Sequence, residues 1–220
     1  MRILTLDAAL AQCCAAMVAN GAVLAQRVAA SGRGQAGVLA EQVQAVLAGS
    51  GTAPLDLAAV AVTVGPGSFT GLRAALALAH GLAQGIGCPV VGVTVAEAVT
   101  AALTPRPGQV IWTAIDSKRG RVFLDTGSGM RATDMADLPR PAGPVLVAGD
   151  AAVLVAEWLA ARGDAAEASA ERLPHPLAIA AVALARLAGR LPPLAAQPLY
   201  VDPPEAKLPA GGLRPAPAAP

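Results

Sequence analysis

The sequence predicts an α/β fold built from two related lobes. Three observations predict it. Strand-length apolar runs alternate with stretches whose apolar residues recur at helical spacing, the pattern of a sheet covered by helices. A short unit recurs in both halves. Ile3-Leu4-Thr5-Leu6-Asp7 and Trp112-Thr113-Ala114-Ile115-Asp116 are both apolar runs ending in Asp, each followed by a turn and a second apolar run. Between the copies lies Thr104-Pro105-Arg106-Pro107-Gly108, a breaker-rich linker. The lobes are therefore expected at 1–104 and 109–208, with a Pro-rich, disordered tail at 209–220.

The elements follow in order. Arg2–Leu6 and Cys13–Val18 read as strands, and Asn20-Gly21 is a two-residue hairpin signal leading into a third, Ala22–Ala29. Ser31-Gly32-Arg33-Gly34 reads as a flexible loop. Gly37–Leu47 carries Leu39, Val43, Val46 and Leu47 at helical spacing. Leu57–Val64 reads as a buried strand, Gly65–Gly71 as a tight turn and Arg73–Ile86 as a helix stopped by Gly87. Pro89–Val93 is a strand and Val95–Leu103 a short helix. Beyond the linker come strands Gln109–Ile115, Arg121–Asp125 and Pro144–Val147, and helices Ala151–Ala161 and Leu177–Leu187.

Composition narrows the function. Hydrophobic residues make up 55%, ample for a core, but aromatics only 2%, so Ala, Val and Leu must build it. Few aromatic platforms for bases, together with a net charge of +1, argue against direct nucleic-acid binding. Cys13, Cys14 and Cys88 read as small buried hydrophobes in a reducing cytosol. Adjacent strand residues point to opposite faces, so Cys13 and Cys14 do not grip one metal. His80 and His175 show no ligand spacing. Asp7 interrupts the apolar start, against a signal peptide, and no uninterrupted apolar run reaches bilayer length. A soluble cytoplasmic protein is expected.

The chemistry concentrates at Gly65-Pro66-Gly67-Ser68-Phe69-Thr70-Gly71. A glycine-rich strand-to-helix turn gathers backbone N–H groups that suit an anion. It lacks the Lys-Ser/Thr of a Walker A loop and the Rossmann spacing. A phosphate site and a plain tight turn both remain open, with Ser68 or Thr70 as helix cap. Asp7 could hold a hydrated Mg²⁺ or simply satisfy turn N–H groups, and the same pair of readings applies to Asp116. No nucleophile–base pair can be assembled. In the helix after the turn, Gly71, Ala75, Ala79 and Ala83 fall at successive i+4 positions, beside a bulkier row of Ala74, Leu78, Leu82 and Ile86. The bulky row can bury against the sheet while the small row admits a partner helix, with internal packing as the competing reading.

Gly65-Pro66-Gly67-Ser68-Phe69-Thr70-Gly71-Leu72-Arg73 resembles the signature of the TsaB (YeaZ) family of tRNA threonylcarbamoyladenosine biosynthesis proteins. Arg2–Ala9, Ala114–Phe123 and Pro198–Pro204 resemble three further family segments in order and spacing. The resemblance implies an actin-like, Hsp70/sugar-kinase type fold with a reduced second lobe and largely lost nucleotide handling. It implies a non-catalytic scaffold that binds the catalytic paralogue TsaD, joined by the ATPase TsaE. No cofactor is expected to bind tightly here; ATP and Mg²⁺ belong to the partner subunits, and tRNA is met only through the complex. Pairing, with TsaD or as a homodimer, runs through N-lobe helices. Carried over, that interface is expected at Leu39, Val43, Val46, Gly71, Ala75, Ala79 and Ala83. Asp7, Gly65, Gly67, Ser68 and Asp116 would mark a vestigial phosphate site. The alternative is a small ATPase or phosphotransferase using Asp7 and Gly65–Gly71. Ala8 replaces the family's Thr, removing a hydroxyl that could contact phosphate. Gln35 and Glu41 depart from its first-helix pattern, and Arg121, Phe123 and Asp202 replace Glu, Tyr and Arg.

Overall fold

Two five-stranded sheets organise the chain, and a computed structural model describes residues 1–30 and 35–202. The predicted loop at Ser31–Gly34 and the predicted tail at Pro209–Pro220 lie outside the described residues. The first sheet holds β1 (Arg2–Asp7), β2 (Gln12–Ala19), β3 (Ala22–Ala30), β4 (Leu57–Gly65) and β5 (Val90–Thr94), in the order β3-β2-β1-β4-β5. The first three strands are antiparallel neighbours, while β4 and β5 run parallel to β1. The second sheet holds β6 (Val110–Asp116), β7 (Val122–Asp125), β8 (Met130–Thr133), β9 (Val145–Ala148) and β10 (Ala166–Ala168). Its order is β10-β9-β6-β7-β8, which is the first order read from the other edge. Thus β6 takes the place of β1, and the repeated strand–Asp unit marks a repeated sheet.

Period-two alternation builds a core on each face of the first sheet. Leu4 and Leu6 of β1, with Val60 and Val62 of β4, face helices α1 (Gln35–Ser50) and α2 (Phe69–Ile86). Ile3, Ala59 and Ala61 point the other way, onto Ile179, Ala180 and Ala183 of helix α5 (Pro176–Leu187). Burial on both faces is why these strands read as nearly continuous apolar runs. Helix α5 falls within the 109–208 stretch assigned from the sequence to the second lobe, yet it packs on the first sheet. Its apolar face fits the open back of β1, β4 and β5, which nothing else covers completely. A shorter helix, α3 (Val95–Thr100), adds Ala98 to that face. The second core is smaller: Trp112, Val122, Leu124, Val145 and Val147 pack against Val155, Ala156 and Leu159 of helix α4 (Ala152–Ala161).

Local chemistry sets the helix ends. Ser68 caps α2 by accepting from the Gly71 N–H, and Gly87 closes it at φ +79°, a left-handed position glycine adopts freely. Thr94 and Glu97 form a complete capping box on α3. Arg186 of α5 donates to Glu97 at 2.6 Å and to the Gly92 carbonyl at 2.7 Å, tying α5 to α3 and β5. Between the lobes, Ala9, Leu10, Leu72, Val95 and Val99 of the first meet Ile115 and Ala148 of the second in one apolar cluster. Among the described residues, no helix is long and apolar enough to cross a membrane.

Candidate functional site

The glycine turn sits where the end of β4 meets the end of β1. Gly67 and Gly71 lie against the backbone that follows Asp7: a Cβ on Gly67 would overlap the Ala9 carbonyl, and one on Gly71 the Ala8 carbonyl. The Ser68 N–H donates to the Ala9 carbonyl oxygen at 2.7 Å. Gly65 has φ +110°, and a side chain there would press on Leu72 and on the Leu199 carbonyl. The glycines thus serve a close approach of two backbones.

Asp7 is buried at the centre of this contact. Its Oδ1 accepts from Thr63 Oγ1 at 2.6 Å and from the Ala9 N–H at 3.1 Å. Its Oδ2 is buried and has no hydrogen-bond partner among the described residues within the geometric limit. Burial pushes its pKa up to about 6, against the smaller lowering effect of Thr63, the Ala9 N–H and the Gln12 side chain. Asp116, its counterpart at the end of β6, is half exposed. There Lys118 donates to Oδ2 through Nζ at 2.8 Å and to Oδ1 through its backbone N–H at 2.7 Å. The bond from Lys118 holds the Asp116 carboxyl below its usual range. Asp150 joins from the turn after β9, accepting from the Asp116 N–H at 2.8 Å, and burial raises its pKa.

The polar groups around the turn are largely engaged within the chain. The turn N–H of Ser68 is engaged by Ala9, Asp116 is neutralised by Lys118, and Leu10, Leu72 and Ile115 fill the space between lobes. Of the predicted phosphate-site residues, Asp7, Gly65, Gly67 and Ser68 do come together. Asp116 belongs to a separate cluster in the second lobe.

The predicted interface residues lie inside the chain. Leu39, Val43, Val46, Ala75, Ala79 and Ala83 are members of the first core, and Gly71 is buried too. The reading of the two rows on α2 is therefore corrected. The small row faces the sheet, because α2 must approach β4 closely. The bulkier row, with Leu78, Leu82 and Ile86, lies half-buried along its edge. The outward face carries Ala77, His80, Gly81, Gln84 and Gly85 instead. Among the described residues, a Cβ on Gly81 or Gly85 would meet nothing within 4 Å.

Sequence reasoning missed one cluster. Phe69 and Tyr200, both exposed, lie with ring centroids 6.2 Å apart. The Arg73 guanidinium stands 3.7 Å over the Phe69 ring, and its Nε and Nη2 donate to the Tyr200 hydroxyl at 3.1 and 3.0 Å. Both aromatics fall within the recognised segments, in a chain with so few aromatic residues, and that was the available signal.

A family model described as TsaD, tRNA N6-adenosine threonylcarbamoyltransferase, matches residues 30–176. The chain belongs to this family. The tRNA threonylcarbamoyladenosine biosynthesis protein TsaB of Escherichia coli K12 is 35% identical over 124 residues, 56% of this chain and 53% of that protein. An uncharacterized protein of Mycobacterium tuberculosis H37Rv is 43% identical over 77 residues, 35% of this chain and 36% of the relative. The chain thus spans about half the length of TsaB and less of the mycobacterial relative. Two solved Pseudomonas aeruginosa proteins share the fold. YeaZ superposes with a TM-score of 0.70 at 23% identity, covering 90% of this chain and 99% of that one. An uncharacterized protein with similarity to peptidase YeaZ gives 0.75 at 22%, covering 91% and 99%. The TsaB (YeaZ) resemblance and the α/β fold with a repeated sheet read from the sequence both stand, and the family belongs to tRNA threonylcarbamoyladenosine biosynthesis. Two positions that depart from the resembled pattern are bonded to each other: Arg121 Nη2 donates to Asp202 Oδ2 at 2.9 Å.

Proposed function

We propose that the chain is a non-catalytic scaffold subunit in the formation of N6-threonylcarbamoyladenosine in tRNA. It pairs with a TsaD paralogue through the outward faces of α1 and α2, and TsaE joins the larger assembly. ATP and Mg²⁺ are held by the partner subunits, tRNA is met through the complex, and the work is cytoplasmic. The same outward faces pair two copies when the partner is absent.

One observation carries this reading. Gly81 and Gly85 each weaken α2 by about 1 kcal/mol relative to Ala. Among the described residues nothing stands within 4 Å of a Cβ built at either, so packing among them gives no reason for their size. A second helix laid along Ala77, Gly81 and Gly85 does, because small residues let two helix backbones come close.

Co-expression with the same organism's TsaD, followed by mass measurement of the complex, tests it. Gly81→Glu should abolish the heterodimer while leaving the unfolding midpoint within a few degrees. Full recovery of the complex with that variant overturns the interface. Ala79→Glu is not a usable probe, since Ala79 is fully buried and the change would unfold the lobe.

The Oδ2 of Asp7, buried and without a hydrogen-bond partner among the described residues, favours a second reading, a small ATPase or phosphotransferase using Asp7 and the Gly65–Gly71 turn. Titration calorimetry with ATP and Mg²⁺ separates the two. Tight binding lost in Asp7→Asn supports the enzyme.

A further inference from the structure

After α5 the chain does not stop on the first lobe. Residues 192–202 run back along it as an extended strap. Arg186 Nε donates to the Pro192 carbonyl at 2.7 Å, fixing where the strap begins. Gly92 of β5 leaves room for the strap backbone: a Cβ there would stand 2.8 Å from the Ala195 carbonyl oxygen. His80 of α2 lies 2.8 Å from the Ala196 carbonyl. Leu194, Ala196 and Leu199 add their side chains to the first core. The Leu199 N–H donates to the Val64 carbonyl at 2.7 Å, at the end of β4. Tyr200 is then gripped by Arg73, as described above. Two residues later, Asp202 leaves the first lobe and pairs with Arg121, immediately before β7 in the second.

Among the described residues, the two lobes are also joined by the chain crossings at 101–109 and 169–175, by the hydroxyls of Thr100 and Thr113 at 3.3 Å, by the Gln12 amide donating to the Pro174 carbonyl, and by the apolar cluster around Leu72 and Ile115. Crossings can act as hinges, and apolar contact resists separation more than sliding, because it is non-directional. A charge-assisted hydrogen bond is directional and fixes an angle. The Asp202 side chain is only 14% exposed and Arg121 34%, so the pair is better shielded from solvent than an ordinary surface pair.

We propose that residues 192–202 are a latch that sets the angle between the two lobes, with Arg121–Asp202 as its closure. The strap is anchored on the first lobe by its apolar side chains and by Arg73. Its last described residue reaches the second lobe. The latch makes the closed arrangement a property of the chain itself, with no ligand needed to bridge the lobes. It shares α2 with the proposed partner interface, through Arg73 and His80, but closes on the second lobe.

Hydrogen exchange read by mass spectrometry on the full chain tests the latch. Arg121→Ala and Asp202→Ala should each speed exchange in peptides covering 95–103 and 110–116, at the lobe boundary, by about fivefold. Peptides within the cores, 57–64 and 152–159, should be unchanged. The double exchange Arg121→Asp with Asp202→Arg should restore slow boundary exchange, which neither charge reversal does alone. Unchanged boundary exchange in the single variants overturns the latch. So does a uniform rise across core and boundary peptides, or a double variant no slower than the singles.

Discussion

The two sheets share one strand order, yet their equivalent carboxylates live in opposite surroundings. Asp7 is buried among neutral partners, and its pKa is raised. Asp116 is half exposed under a lysine, and its pKa is lowered. Both sit at the end of the central strand, where a turn from the neighbouring parallel strand closes over them. Gly67 does so in the first lobe. Gly149 does so in the second, where a Cβ would overlap the Ala114 carbonyl and φ is +98°. Topology therefore delivers a carboxylate to the same place twice, and the local side chains decide what it becomes. In one lobe it is a buried strut, in the other the organiser of its own turn.

The strongest way to break this comparison is at the shared closure. Gly67→Val and Gly149→Val should each destabilise the chain by about 3 kcal/mol or more in urea unfolding, since the obstacle is backbone and cannot swing away. If only one of the two is costly, the closures are not equivalent. Next in size is Asp7→Asn. A carboxyl whose pKa rises from 3.8 unfolded to about 6 folded binds its proton more tightly in the folded state. Stability therefore falls as pH rises from about 4 to 6, by up to about 3 kcal/mol. Asp7→Asn should remove that slope and raise stability at pH 8, as followed by thermal melts across pH. The smallest effect is expected at Lys118→Ala. Asp116 has the opposite sign: its contribution is present above its unfolded pKa and is lost as pH falls through the lowered folded value. The pair is exposed, so the loss at neutral pH should stay under about 1 kcal/mol, and vanish in high salt.

Much of the fold was legible because the first lobe is made of long, doubly buried strands. Arg2–Asp7, Leu57–Gly65 and α2 stand close to where spacing placed them, and the Asn20-Gly21 hairpin lies between β2 and β3 as read. Strands β8 and β10 were missed. Met130–Thr133 carries Arg131 and no strong apolar alternation, and Ala166–Ala168 is three residues with a central Glu. Each forms only because a stronger neighbour offers it a ladder. The return of α5 to the first lobe was not legible, since its apolar face fits either sheet. On α2 both rows looked able to face the core. The deciding quantity was the distance from α2 to β4, which spacing along the sequence does not contain. Asp7, Gly65, Gly67 and Ser68 were found together because β1 and β4 are adjacent. Lys118 stands two residues from Asp116, but spacing alone does not show that its ammonium and its N–H both turn back onto that carboxylate.

The scarcity of aromatic residues has one practical consequence. Trp112 and Trp158 both belong to the second core, the first buried and the second under the Arg162 guanidinium. Tyr200, the one tyrosine of the chain, sits on the strap against Arg73. Indole emission thus reports the smaller lobe alone, and the phenolate difference band that appears as Tyr200 ionises reports the strap. The molecule carries two separate optical channels, one for each end of the contact between its halves, without any added label.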